Sequence, residues 1–338
     1  MGEFTSYWLY QKYVSTDSGQ TYVPVYPAEY SVNGDGTMPL SAKSEYDEAC
    51  GYVPPTPTAI YRWVDMDIST DYICDECGEY PFKFCATYEN DDVYEIPCDG
   101  SPMLQESHTK SYSGASFSSM TDAIVGDCVG IIKRACLSGC TSLTSLTISD
   151  SVTEIEIEAF YGCSGLTNVV VPNSVTKIGW STFSRCSGLT SVTLSNQLTN
   201  MPIACFWHCD NLRSITIPSG VTSIENTAFA NCSGLTSVTF SQSLKTIGDQ
   251  CFLRCYALTN IDLPQTVESI GNFAFAECTG LQSIIIRATT PPTLGVESPG
   301  SVFHNTNNCP IYVPAASVNT YKTATNWSTY ASRIQAIS

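Results

Sequence analysis

From residue 118 onward, apolar and polar positions recur with a period of 23. Cys140, Cys163, Cys186, Cys209, Cys232, Cys255 and Cys278 are each 23 residues apart. Counted from each cysteine, position +3 is always leucine, from Leu143 to Leu281. Positions +6 and +8 are apolar, as in Val192 and Leu194 or Ile215 and Ile217, with Ser, Thr or Asn at most flanking places. That alternation predicts a short strand with one buried face. Aliphatic residues follow at +12 (Val152, Val175) and +15 (Ile155, Ile178), and Phe stands at +20 in Phe160, Phe183, Phe206, Phe229, Phe252 and Phe275. Met120, Ala123, Val125, Val129, Ile132 and Leu137 form a degenerate copy in register before Cys140. The pattern therefore predicts seven repeats over 118–278 and the strand half of an eighth.

A 23-residue unit is too small to bury its own apolar side, but stacked copies share one continuous core. With strands about 4.8 Å apart, seven copies span roughly 34 Å. The expected fold is mostly β: a leucine-rich-repeat-like solenoid of 23-residue repeats, with small N-terminal β-modules and a C-terminal strand/helix cap.

The segments CSGLTSVTF at 232–240 and VTKIGWSTFSRC at 175–186 resemble the BspA-type leucine-rich repeat. That resemblance implies the solenoid fold and a non-catalytic recognition or attachment role on an exposed surface, as in surface proteins of gut and oral bacteria. The common leucine-rich pattern ends its strand with Asn or Cys. Here Ser151, Ser174, Gln197, Gly220, Ser243 and Thr266 take that place, so the usual asparagine ladder is not expected.

The period breaks at both ends. After Pro291 and Pro292, CPIYVP at 309–314 predicts a strand and Ser317–Ala331 a helix, so 289–338 reads as a cap closing the solenoid at 118–288. IYVPAASVNTYKTATNWSTYASRIQAI also resembles the closing segment of BspA-type proteins. Residues 1–53 carry a hairpin pattern around an Asp-Ser-Gly turn, 54–60 a Pro-rich linker, and 61–117 a second hairpin turning near Asp91 and Asp92. These two modules resemble short modules found beside such repeats in gut-bacterial and gut-phage proteins.

Charge separates the front from the repeat. The chain has 32 acids, 15 bases and a net charge of −17 over 338 residues. Residues 1–117 hold 19 of the acids and 5 of the bases, which marks a boundary and speaks against nucleic acid as a partner. No D-x-D-x-D-G loop of the calcium-binding type accompanies those acids. No apolar run reaches the roughly 18 residues of a membrane-spanning helix.

The 17 cysteines divide by position. Seven form the repeat row, and Cys136, Cys205 and Cys251 share +19 with Ala159, Ala228 and Ala274, so these ten read as small buried core residues. Cys128 falls in the degenerate first copy and Cys309 in the cap. Cys50, Cys74, Cys77, Cys85 and Cys98 remain for disulfide or metal chemistry, or for packing. Cys74, Cys77, Cys85 and Cys98 could form a four-cysteine zinc site, although only the first pair has CxxC spacing. A two-residue turn at Asp91–Asp92 would set Cys85 opposite Cys98. Placing Phe84, Ala86 and Tyr88 against Tyr94, Ile96 and Cys98 instead needs a three-residue turn and turns Cys85 to the other face.

Catalytic motifs are missing from the sequence. His108, His208 and His304 have no nucleophile or metal spacing, and no G-x-S-x-G, P-loop or HExxH occurs. Glu154, Glu156 and Glu158 alternate as a charged face, with nothing selecting a pair for glycoside hydrolysis. No enzyme activity and no cofactor are expected. The +5 and +7 face is a bland run of Ser and Thr. The turns are richer, holding Tyr161, Trp180, Arg185, Trp207, His208, Arg254, Tyr256 and Phe273. Trp, Tyr and Arg dominate binding hot spots, so these eight are the expected recognition surface, or else they pack on neighbouring coils. The expected partner is a cell-surface protein or glycan, or other virion proteins if the chain is a phage fibre or tail component; an oligomer is compatible with either. MGEFTSYWLY has no secretory-signal pattern, which favours the virion reading if that start is native.

Overall fold

In the computed structural model, the described residues are 13–15, 22–24, 60–62, 82–88, 93–97, 103–104, 117–295 and 301–337. The repeat folds as a mostly β, parallel solenoid with about 23 residues per turn, and each coil contributes two short strands. The first lies at +5 onward, as in Asn168–Val170, Ser191–Thr193, Ser214–Thr216 and Ser237–Thr239. The second is a two-residue strand at +14 and +15, as in Lys177–Ile178, Ser223–Ile224 and Ser269–Ile270. Pairing is parallel and offset by one period: Val169 opposes Val192, and Ile224 opposes Ile247.

The periodic residues face inward. Leu166, Leu189 and Leu212 at +3, Ile155 and Ile224 at +15, and every +20 Phe are fully or almost fully buried. The phenylalanines stack face to face from Phe160 to Phe303, with centroids 5.2–5.8 Å apart and planes within 11° of parallel. The cysteine row is a column of free, buried thiols. Each thiol from Cys163 to Cys278 donates to the +20 carbonyl 26 residues before it; Cys209 Sγ lies 3.2 Å from Phe183 O. The same carbonyl also accepts the N–H of the cysteine three residues after it, as Phe183 O does from Cys186 at 3.2 Å. A thiol therefore fits where alanine would leave one lone pair without a donor. Burial pushes the thiols of Cys205, Cys209 and Cys251 up, and that of Cys232 to about 12.

Thr rows reinforce the stack. At +4 and +13 the hydroxyl donates to the preceding coil's carbonyl, as from Thr190 to Thr167 (2.9 Å) and Thr176 to Thr153 (3.3 Å).

At both ends strands outside the periodic stretch continue the sheets. Phe82–Tyr88 pairs antiparallel with Val93–Pro97 and also with Met120–Val125, the first strand of the solenoid. Met103–Leu104 pairs parallel with Ile131–Ile132, adding a coil to the second row. Hydrogen bonding thus runs across the predicted 117/118 boundary, because an open solenoid end exposes unpaired backbone that another strand can satisfy. Upstream, Tyr13–Ser15 pairs with Tyr22–Pro24 and with Ile60–Arg62, so Ile60 of the expected linker is already strand.

Within the second hairpin Phe84 opposes Ile96 and Ala86 opposes Tyr94, which keeps the expected faces but shifts the pairing by two residues from the three-residue turn, where Ala86 would meet Ile96. Cys85 opposes Glu95, not Cys98. Cys50, Cys74, Cys77 and Cys98, and with them most of the suggested zinc site, lie outside the described residues. Cys128 corrects the sequence reading: it is disulfide-bonded rather than a packed thiol of the first copy.

At the C-terminus, Ile311–Val313 joins the first row as expected and Ile334–Ala336 pairs beside it. The helix is shorter than Ser317–Ala331. It covers Val318–Thr323, with 3-10 turns at Ala315–Ser317 and Trp327–Tyr330. The chain leaves the helix at Ala324 and turns left-handed at Asn326, which lets Trp327 point inward and donate to Pro292 O at 2.7 Å. Trp327 and Tyr330 close the phenylalanine column against Phe303. Thr306 takes the cysteine position of this last coil, directly after the left-handed Asn305.

Candidate functional site

Each coil closes in a turn spanning +17 to +22, and this edge presents the large irregular side chains. Positions +19 and +20 point into the core; Cys205 and Phe206 are wholly buried. The backbone zigzags between coils: Glu158 N donates to Trp180 O, Phe160 N to Thr182 O and Gly162 N to Ser184 O, at 2.8–3.0 Å. That ladder requires left-handed residues at +18 and +22 in every coil, among them Ser181, Arg185, Ala204 and His208 with φ between 53° and 60°. Only Gly139 and Gly162 meet the requirement with glycine. The strain recurs along the whole stack, so it belongs to the turn and not to any one site.

Four of the eight expected residues converge. The +21 row reads Tyr161, Ser184, Trp207, which is large, small, large. Ser184 is buried, and the space beside it is filled by the Arg185 side chain. The Arg185 guanidinium lies 4.9 Å from the Trp207 ring centroid and 6.0 Å from that of Tyr161. His208 meets Trp207 edge-on at 4.4 Å and sets Nδ1 3.5 Å from Asp210 Oδ1. The result is a preformed cation–aromatic stack across three coils, with Arg185 itself exposed.

A family model described as the BspA type leucine rich repeat region, in six copies, matches residues 109–219 and 199–319. The chain belongs to the BspA type leucine rich repeat family. Similar solved structures include a leucine-rich repeat protein from Bacteroides ovatus, 23% identical, covering 68% of this chain and 61% of that one, with a TM-score of 0.48. Another, from Eubacterium ventriosum, is 25% identical over 58% of this chain and 50% of that one, at a TM-score of 0.48. A leucine rich cell surface protein from Faecalibacterium prausnitzii is 28% identical over 57% and 59%, at a TM-score of 0.38. The chain thus spans about half to three fifths of these structures. No curated protein matches it.

The other expected residues of this BspA type chain stand apart from the stack. Trp180, at +17, is 50% exposed. Arg254 repeats the +22 position three coils beyond Arg185, roughly 14 Å along the axis, and Tyr256 follows it, exposed. Phe273, at +18, is half-buried and left-handed. The sequence reading missed Asp210, Ser184 and the exposed Ile203. The alternation of ring, serine and ring at +21, with arginine beside the serine, was the available signal for the first two.

The glutamate trio is engaged in holding coils together. Lys133 Nζ donates to Glu156 at 2.6 Å and holds its carboxyl below the usual range, Arg134 pairs with Glu158 at 3.3 Å, and Lys177 pairs with Glu154 at 2.5 Å. Among the described residues no three His, Cys, Asp or Glu side chains gather as metal ligands, and no helix is long and apolar enough to cross a membrane.

Proposed function

We propose that this protein is a non-catalytic recognition protein, displayed on an exposed surface, whose solenoid edge attaches to a partner on another cell. The observation that carries the reading is the Arg185 guanidinium held between Tyr161 and Trp207. A stack already ordered in the free protein loses little side-chain freedom on binding, and Trp, Tyr and Arg supply large area with polar handles. The family supports the same direction, since a repeat array offers a long rigid face on which turn residues vary without disturbing the core.

The test is adhesion of fluorescent protein to intact bacterial and host cells, with wild type compared with an Arg185→Ala/Trp207→Ala variant. An exposed cation–π contact contributes only about 0.5–1 kcal/mol each, so the variant stays folded by circular dichroism. Loss of attachment in that folded variant supports the reading. Undiminished attachment removes this edge from the function.

A further inference from the structure

A second surface lies along the other strand row, where a groove of about 560 Å³ runs over the +14 to +17 positions from Ile203 to Gly295. Its floor is bare because glycine follows the second strand in three successive coils, Gly248 and Gly271 at +16 and Gly295 at the matching place after a one-residue insertion. A Cβ on Gly248, Gly271 or Gly295 would come within 2.4–2.6 Å of the preceding coil's +17 residue, Asn226, Asp249 or Asn272 respectively. Those three form a locked row: Asn226 Oδ1 accepts Asp249 N at 2.9 Å, and Asp249 Oδ1 accepts Asn272 N at 2.6 Å. Glu225 lines the same groove and accepts from Asn200 through one carboxylate oxygen at 2.9 Å. At one end the row turns apolar, with Ile203 41% exposed and then, one coil further along, Trp180 50% exposed.

We propose that this groove binds a neutral, extended oligosaccharide. The lining contains two carboxylates and no basic side chain, which disfavours phosphate, sulfate and uronate ligands. Amide, carboxylate and hydroxyl groups fixed by the coil-to-coil bonds suit vicinal sugar hydroxyls, which need both donors and acceptors. The exposed Trp180 offers the flat face on which the apolar side of a pyranose ring stacks. Coil spacing repeats these groups about every 4.8 Å, close to the advance of successive rings in an extended sugar chain. The Ile203-to-Asn272 row accounts for roughly three such steps, an oligosaccharide footprint rather than a single sugar. The groove is separate from the Tyr161–Arg185–Trp207 edge, and this inference stands without it.

The experiment is isothermal titration of the full chain with cellohexaose, laminarihexaose and mannohexaose, and with a hexagalacturonate as the charged comparison. Binding of at least one neutral hexasaccharide with a Kd below about 10 mM is expected, weakened roughly tenfold by Trp180→Ala and again by Glu225→Gln. Both positions are at the surface, and Glu225→Gln retains an oxygen for Asn200. Arg185→Ala/Trp207→Ala should bind the sugar as wild type does. The proposal is overturned if no neutral hexasaccharide binds, if hexagalacturonate binds best, or if the groove variants bind undiminished. A sugar that binds while cell attachment survives the edge variant would remove the edge reading and leave this one intact.

Discussion

Replacing Phe206 tests whether the aromatic column holds the stack together as one unit. Its ring is wholly buried, 5.4 Å from both Phe183 and Phe229 and within 9° of parallel to each. Phe206→Ala removes the buried ring and leaves a cavity that rigid neighbouring coils close poorly, a cost of about 3–5 kcal/mol. Phe206→Leu keeps most of the apolar volume but loses two stacked pairs, each worth about 0.5–1.5 kcal/mol beyond area, so it should cost about 1–3 kcal/mol. Phe160 stacks on Phe183, while the first coil offers Leu137 at the same position rather than a ring. Phe160→Leu should therefore cost about one stacked pair less than Phe206→Leu. Urea unfolding followed by far-ultraviolet circular dichroism and by tryptophan fluorescence measures both. Trp180 and Trp207 report the middle coils and Trp327 the cap, so a break at Phe206 should also separate the two transitions, since each coil couples only to its neighbours. A Phe206→Leu cost below about 0.5 kcal/mol, or equal costs at the two sites, would refute the column as a source of cohesion beyond simple burial.

Alkaline pH should unfold the protein early. Burial raises the thiols of Cys205, Cys209, Cys232 and Cys251, so the folded state keeps protons that the unfolded chain releases above about pH 8.5. Their contribution is intact below that pH and is lost as pH rises towards the folded values, by about 5 kcal/mol per pH unit once all four unfolded thiols ionise. A urea midpoint unchanged between pH 7.5 and 10 would sink this account. The eleven buried thiols among the described residues should resist a thiol reagent in the native protein and react in denaturant without reductant; recovery of fewer than about ten would mean that the column is oxidised. Thr227, β-branched yet left-handed at φ 55°, should gain about 0.5–1 kcal/mol when replaced by asparagine, and a lower melting temperature for Thr227→Asn would contradict the strain reading.

The sequence by itself determined the solenoid, its 23-residue period, the buried leucine, phenylalanine and cysteine rows, and the presence of a C-terminal cap. The strand pairs and the stacked rings of the rows join a residue to its counterpart one period away, so the periodicity records most of those contacts. It also held which residues of the second hairpin share a face, because Phe84, Ala86, Tyr94 and Ile96 alternate, but not the register, which pairs Ala86 with Tyr94 rather than with Ile96. The tertiary structure alone decided what has no period. The hairpin strand Phe82–Tyr88 closes the solenoid against Met120–Val125, and Cys128 is covalently tied rather than simply packed. The sequence also gave no warning of the left-handed +18 and +22 positions, since glycine marks them in only the first two coils. At the sites, the eight turn residues were visible as a class. Which of them meet was set by side-chain volume across coils: Ser184 leaves the space in which Arg185 lies between two rings. In the groove, each glycine after the second strand makes room for the +17 side chain of the coil before it. Both arrangements arise from non-identical neighbours in adjacent coils, and a repeat pattern records only what the coils share.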